Sequence, residues 1–470
     1  MKKLWTVLYL ILTISACALP FAGKLWYREA ESSENRVLAE APKLRTEEGL
    51  NINYLADAGT YFEDHFAYRQ EMVTADALLR GKLLGVSTAE GVIKGTGGWL
   101  YYKDSLEDYL GGNVLSDRAA YNIAHTLKMM QTYVEEQGGQ FLFTIAPNKN
   151  TLYGENMPYY YKIKIADEHN REKIAEMLLK QGVNYADLFA FFAQRDETLY
   201  HLRDSHWNNK GAALVSDLLL DMLGKAHTSH EGASYTVQED FEGDLDKMLY
   251  PLAVTPEEEI YYDTEFTYEY TQEIESTFDP LIQTVNDAKQ GSLLMYRDSF
   301  GNALLPFVAE EFGSARFSRG VPYYLGDMQA CQADTVIVER AERFVPDMRK
   351  NPPVVQTGEA HLAPLRAEIL PRDSANLTNC QITAEGAFTK ISGTVDEAYM
   401  SVETEIYVRV DGAALYEAFP VTLEQEGQET DFGYVLYLEE GQMQSGEHLI
   451  ELFTVTEGVM QQVYQGYVES

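Results

Sequence analysis

Two short stretches concentrate the residue types from which acyl-transfer chemistry is built. His201-Leu202-Arg203-Asp204-Ser205-His206-Trp207-Asn208-Asn209-Lys210-Gly211 sets a carboxylate one residue away from an imidazole, just ahead of an apolar helical pattern. Arg297-Asp298-Ser299-Phe300-Gly301-Asn302 sets a serine after the run Leu293-Leu294-Met295-Tyr296 and before a second helical pattern. A serine hydroxyl needs a base to take its proton at neutral pH, and a histidine oriented by a carboxylate is the common solution. Ser299, His206 and Asp204 are therefore the candidate nucleophile, base and orienting acid. Spacing alone leaves rivals open. Asp298-Ser299 also reads as a helix N-cap, and His201, Asp204 and His206 carry donors suited to zinc or manganese. No second cluster such as His-x-x-x-His completes a metal set, so no metal or other cofactor is expected.

The elements around these stretches must hold them together in space. Gln140 to Ala146 is a short apolar run closed by Pro147-Asn148, the form of a buried strand. Val183 to Leu188, Ser292 to Tyr296, Ser314 to Phe317 and Thr335 to Glu339 read as further strands. Helical patterns cover Tyr121 to Glu136, Glu172 to Lys180 and Lys210 to Leu223. This alternation predicts an α/β domain of three layers with a mainly parallel sheet, over residues 91–355. Functional groups in such sheets gather in loops beyond the carboxyl ends of the strands, where the Ser299 turn falls. A serine there faces the amides of a helix N-terminus, and Ser299 and Gly301 are the expected oxyanion donors.

Other segments read less regularly. Residues 23–90 carry helical spacing, as in Tyr54-Leu55, Tyr61-Phe62 and Phe66, and suggest a stalk and a packing helix. Gly91 to Gly95 and Gly97 to Tyr102 suggest a hairpin. Periodicity is lost between about 225 and 285, an acidic, Tyr-rich stretch read as an insertion of short strands and loops, either a solvated excursion or a substrate lip. After Pro352-Pro353 and Pro364, residues 375–470 alternate apolar and polar between turn signals such as Asp411-Gly412, predicting an all-β sandwich.

Composition narrows the function classes. The chain has 37 basic and 73 acidic residues, a formal charge of −36, which disfavours nucleic acid. Lys2 and Lys3 precede an almost unbroken apolar run from Leu4 to Ala22, residues 1–22 forming an export signal. That run is long enough for a hydrocarbon layer of about 30 Å, so it reads as an uncleaved anchor. Ile14-Ser15-Ala16-Cys17 also resembles a lipoprotein processing site, with Cys17 as the lipidated residue, and cleavage with full secretion is the third outcome. Each places the body outside the cytoplasm. Only Cys331 and Cys380 lie beyond the signal, too few for a disulfide framework.

Six landmarks in order carry a resemblance: Glu34-Asn35-Arg36-Val37-Leu38-Ala39, Tyr61-Phe62-Glu63-Asp64-His65-Phe66, Gly97-Gly98-Trp99-Leu100-Tyr101, Pro147-Asn148-Lys149, Asp204-Ser205-His206-Trp207 and Asp298-Ser299-Phe300. They resemble the alginate O-acetyltransferase-like family, also called the DHHW family, of SGNH-hydrolase-like cell-envelope proteins. The resemblance implies a permuted SGNH-hydrolase-like fold in which the Asp-His pair precedes the serine. It maps Asp204 and His206 to carboxylate and base and Ser299 to nucleophile. The family's Asp-His-His-Trp motif has Ser205 here at its second position. Asn148 resembles the oxyanion-hole asparagine of SGNH enzymes, with Lys149 beside it as a contact for an anionic group. Arg297 adjoins the serine, and Trp99, Tyr101 and Trp207, or the tyrosines of 261–270, offer aromatic faces for a sugar.

What the resemblance implies is transfer of an acetyl or other acyl group onto hydroxyls of a cell-envelope or exopolysaccharide. The donor would then be handled by a membrane-bound O-acyltransferase partner. Two other readings remain: a polysaccharide O-acetylesterase, and a non-catalytic glycan-binding or scaffold protein carried by the β-sandwich.

Overall fold

A computed structural model describes residues 2–23, 26, 38–46, 49–360, 366–369, 378–425, 427–439, 441–443 and 445–470. Residues 34–37 of the first landmark and Pro364 lie outside the described residues. The central sheet has seven strands: β1 (Gln140–Ala146), β2 (Tyr185–Ala186), β3 (Glu269–Tyr270), β4 (Leu281–Val285), β5 (Ser292–Tyr296), β6 (Ser314–Ser318) and β7 (Thr335–Ala341). Their order is β2-β1-β7-β5-β6-β4-β3. The five from β2 to β6 pair in parallel, and β4 and β3 extend that edge antiparallel.

Successive side chains of a strand point to opposite faces, and here both faces are covered, which is why β1, β5 and β7 read as continuous apolar runs. Leu142, Leu293, Met295 and Ile337 pack on one face against helices Asn209–Met222 and Gly301–Glu310. Phe141, Phe143, Leu294, Tyr296, Val336 and Val338 pack on the other against helices Asp117–Glu136 and Asn170–Gln181. The three-layer α/β expectation holds.

Two boundaries differ. Val183 to Leu188 yields only Tyr185–Ala186 as strand, because the Asp187 carboxylate accepts from the Ala190 amide at 3.0 Å and starts helix Leu188–Ala193. Leu281 to Val285, read as the end of the insertion, is instead β4, with Ile282 and Thr284 buried in the sheet. Glu269–Tyr270 joins the sheet in the same way as β3, and earlier in the insertion Tyr235–Phe241 pairs with Glu257–Tyr262 as a hairpin that carries helix Asp244–Leu249 between its strands.

Helices Tyr54–His65 and Arg69–Leu83 precede the domain, the second contributing Ala77 to a cluster with Val92, Leu100, Leu245 and Leu249. Val92–Lys94 and Leu100–Tyr102 form the expected hairpin. The C-terminal region is two mainly antiparallel sheets. One begins before residue 375, since Arg366–Ile369 pairs with Val459 to Gln462. Phe419 carries this region into the core beside helix Asp117–Glu136. The N-terminal helix is apolar and long enough over Lys3–Gly23 to cross a membrane, with Cys17 exposed on it. Cys331 and Cys380 are both free thiols.

Candidate active site

The turn after β5 is fixed by Asp298. One of its carboxylate oxygens accepts from the Phe300 amide at 3.0 Å, and the other from the Ala341 amide at the end of β7 at 2.7 Å. Asp298 thus fixes the turn and leaves Ser299 for another partner. The Ser299 hydroxyl lies 2.8 Å from His206 Nε2.

His206 reaches it from a loop closed at its base by pairing of Tyr200 with Trp207. The Tyr200 hydroxyl ties this loop to the end of β1 through the Pro147 carbonyl, at 2.7 Å. With one residue between them, the Asp204 carboxylate folds back on His206. Asp204 Oδ1 accepts from Nδ1 at 2.7 Å and from the His206 amide at 2.9 Å. Its Oδ2 accepts from the Asp244 amide at 2.7 Å. Burial alone would raise the Asp204 carboxyl, but the His206 charge and hydrogen bond and the Asp244 amide hold it below the usual carboxylate range. Burial would likewise lower His206, and Asp204 and then Asp244 overcome it, so the imidazole is more basic than usual.

Asp244 is the member that the sequence did not reveal. Its carboxylate accepts from the Ser205 amide at 2.8 Å and from the Ser205 hydroxyl at 2.6 Å, and lies 3.7 Å from His206 Nδ1. Burial and the neighbouring Asp204 charge push the Asp244 carboxyl up to about 6. Ser205, the departure from Asp-His-His-Trp, is thus the group that ties Asp244 to the pair. The only visible signal was Gly243. A Cβ there would stand 2.4 Å from the Arg203 carbonyl oxygen, so glycine permits the close approach.

The remaining candidates fall in different places. Asn148 is buried, with Oδ1 held by Arg343 at 3.3 Å and Nδ2 without a hydrogen-bond partner among the described residues. The same guanidinium sits 5.6 Å from the Phe300 ring, which follows Ser299. Lys149 is not an anion contact. Its ammonium is buried and spends its three donors on the carbonyls of His201, Leu202 and Asp204, at 3.0, 3.0 and 2.5 Å. Burial, which the nearby Asp204, Asp244 and Glu257 charges only partly offset, lowers its pKa to about 8.

Arg297 is also spent internally, on the Asn302 side chain and on the carbonyls of Thr277 and Asp279 at 2.9 and 3.2 Å. Gly301 is required by packing, since a Cβ would meet Arg297 Cβ at 2.5 Å and Glu339 Oε2 at 3.1 Å. Trp99 and Tyr101 do not face the site. Both are buried beneath Lys149, and the Tyr101 hydroxyl bonds the Tyr153 carbonyl at 2.6 Å. Trp207 walls the site and packs edge-on against Phe300 at 4.8 Å. His201 turns away from Asp204 and His206 to Glu259, at 3.0 Å, so the three do not converge on one point.

Above Ser299 opens a cleft of about 500 Å³, walled by His206 and Trp207 and, from the insertion and the segment before β4, by Phe241, Asp244, Lys247, Thr277 and Phe278. Residues 92–290 match the family model described as the SGNH hydrolase-like domain of acetyltransferase AlgX. This stretch is similar to that family's domain. The match takes in Asp204 and His206 and stops short of Ser299. The chain is similar in structure to PatB1 of Bacillus cereus at 16% identity, covering 54% of this chain and 96% of that one, with a TM-score of 0.42. A DHHW family protein from Eubacterium siraeum is similar at 17% identity, 54% and 94% coverage and a TM-score of 0.39. AlgX of Pseudomonas aeruginosa is similar at 11% identity, 79% and 89% coverage and a TM-score of 0.35. No curated protein matches the chain in sequence.

Proposed function

We propose that this chain is an extracytoplasmic O-acetyltransferase that moves an acetyl group onto hydroxyls of a cell-envelope or exopolysaccharide. The observation that carries the reading is the continuous line from Asp204 through His206 to Ser299, at 2.7 and 2.8 Å, within an AlgX-type acetyltransferase domain. His206 Nε2 takes the Ser299 proton as Oγ attacks the donor carbonyl, and a tetrahedral oxyanion forms. The leaving group departs with that proton, leaving acetyl-Ser299. A sugar hydroxyl then gives its proton to His206 and attacks the ester, and Ser299 is regenerated. Asp204 keeps the imidazole in the tautomer whose Nε2 faces the serine. The amides of Ser299 and Gly301 and the unpartnered Asn148 Nδ2 are the donors we assign to the oxyanion.

The apolar N-terminal helix supports a membrane-held body, whether as an anchor or as a lipoprotein at Cys17, and a membrane-bound O-acyltransferase as the source of the acyl group. The test uses a p-nitrophenyl acetate donor and a glycan acceptor, read by mass spectrometry. Ser299-dependent gain of acetyl on the glycan supports the transferase. Loss of acetyl from a pre-acetylated glycan, with no gain under any donor, replaces it with an esterase. Failure of Ser299 to label with a phosphonylating probe, with glycan binding intact, leaves only a binding protein.

A further inference from the structure

The cleft beside Ser299 is lined by two aromatic rings, Phe278, which is exposed, and Phe241, which is half-buried. Phe278 is 56% exposed on the wall of the cleft. Its backbone is nevertheless pinned from behind. Arg297 binds the carbonyls of Thr277 and Asp279, Arg319 binds the Phe278 carbonyl at 3.1 Å, and the Arg319 guanidinium backs the ring at 5.8 Å. Phe241 is held just as firmly. It lies flat on the His201 ring, with centroids 3.7 Å apart and planes 2° from parallel, and His201 is itself fixed by Glu259. Two rings presented to a cleft on rigid supports are a preorganised platform for the apolar C–H face of a sugar ring.

The charge of the same wall selects among sugars. Asp204, Glu242, Asp244 and Glu259 line it, against Lys247 and the imidazoles of His201 and His206. Lys247 is already paired with Glu242 at 3.4 Å. Arg297 and Arg319 stand behind Phe278, outside the lining, with donors committed to backbone carbonyls. Even with both imidazoles protonated the wall stays net negative, in a cleft that screens charge less than open water does.

We infer that Phe241 and Phe278 form the acceptor subsite and that the sugar unit bound there is uncharged, polymers of uronic acids being excluded by the acidic wall. This rests on the acetyltransferase reading for what the sugar does, but not for its binding. The test uses the full-length protein in detergent and two acceptors of equal length, a pentamer of β-1,4-linked N-acetylglucosamine and a pentamer of β-1,4-linked mannuronic acid. Calorimetry on the Ser299→Ala protein reads binding without chemistry, and transfer from p-nitrophenyl acetate reads it with chemistry.

The neutral pentamer is expected to bind at least about tenfold more tightly than the uronate. Phe278→Ala should weaken the neutral pentamer about tenfold, as the loss of one ring contact. Glu242→Lys should narrow the gap between the two pentamers by about the same factor. Equal or preferred binding of the uronate overturns the inference, as does a Phe278→Ala protein that binds the neutral pentamer like the parent. Absence of Ser299-dependent nitrophenol release, with the binding preference intact, would instead remove the acetyltransferase reading and leave the subsite standing.

Discussion

Ser205 and Asp244 are joined twice, by an amide at 2.8 Å and a hydroxyl at 2.6 Å, and this pair holds a second carboxylate 3.7 Å from the imidazole that Asp204 already orients. Two negative groups on one side of His206 favour its protonated form. Asp244→Asn keeps an acceptor for Ser205 and removes the charge. The folded pKa of His206 should then fall, so its neutral, base-competent form persists to lower pH. The acidic limb of the kcat/KM profile should move to lower pH, with kcat reduced by about tenfold or less as the loop loosens. An acidic limb that stays in place would show that Asp244 does not act through His206.

Gly243 permits that arrangement sterically. A side chain there would collide with the carbonyl group of Arg203, whose oxygen and carbon lie 2.4 and 2.6 Å from the added Cβ, and with the Asp204 amide at 2.9 Å. All three are backbone atoms that cannot rotate away. Gly243→Ala should therefore lift helix Asp244–Leu249 off the Asp204 loop, costing about 1–3 kcal/mol of stability. Turnover should fall by more than the fraction unfolded, because the Asp244 amide leaves Asp204 Oδ2. Urea unfolding and turnover on the same sample separate the two effects. Unchanged turnover in folded Gly243→Ala would refute the coupling.

Much of the Asp204-His206-Ser299 line was legible in the sequence because it is local. Asp204 and His206 are two residues apart, and Ser299 sits on a strand-turn-helix whose apolar strand spells out its own burial. Asp244, Phe241 and Phe278 were not legible. They come from a stretch without periodicity and meet the cleft only once the hairpin Tyr235–Phe241 with Glu257–Tyr262 and the segment before β4 fold against it. Trp99, Tyr101 and Lys149 misled for a related reason. An aromatic or a lysine in a motif reads the same whether it faces a ligand or the interior, and these three pack on one another. The cap at Asp187 was a visible signal that β2 must end early.

Glu339 lies beneath the Asp298-Ser299 turn. It is fully buried, and Oε2 accepts from the Asp298 amide at 3.0 Å. Burial first, and then the Asp298 charge, push its carboxyl well above the ordinary range. A carboxyl whose folded pKa exceeds its unfolded value of about 4.3 contributes stability that is full below that value and is lost as pH rises through the folded pKa. Glu339→Gln keeps the shape and cannot ionise. Its urea midpoint should be close to the parent's near pH 4 and higher than the parent's at pH 9. A difference that does not change with pH would mean that Glu339 does not titrate in this range.

Arg118 holds the β-rich region against the catalytic domain. It is buried at the start of helix Asp117–Glu136, and its Nη1 donates to the carbonyls of Ser401, Val402 and Thr404 at 3.4, 2.9 and 2.7 Å. Burial lowers its pKa only to about 10, so it remains charged at neutral pH and its hydrogen bonds are charge-assisted. Asn122 and Ser116 add bonds to Asp431 at 2.8 and 2.5 Å from the same helix. Arg118→Ala strips the Ser401 to Thr404 turn of its donor and opens a cavity, which should cost about 3 kcal/mol. Ser299 lies in the turn before helix Gly301–Glu310, which packs on the opposite face of the sheet from helix Asp117–Glu136, so the effect should appear in stability and not in chemistry. The expected result is a lower unfolding midpoint, with nitrophenol release per folded molecule within about twofold of the parent. A loss of turnover in the folded protein larger than that would show that the β-rich region shapes the active site directly.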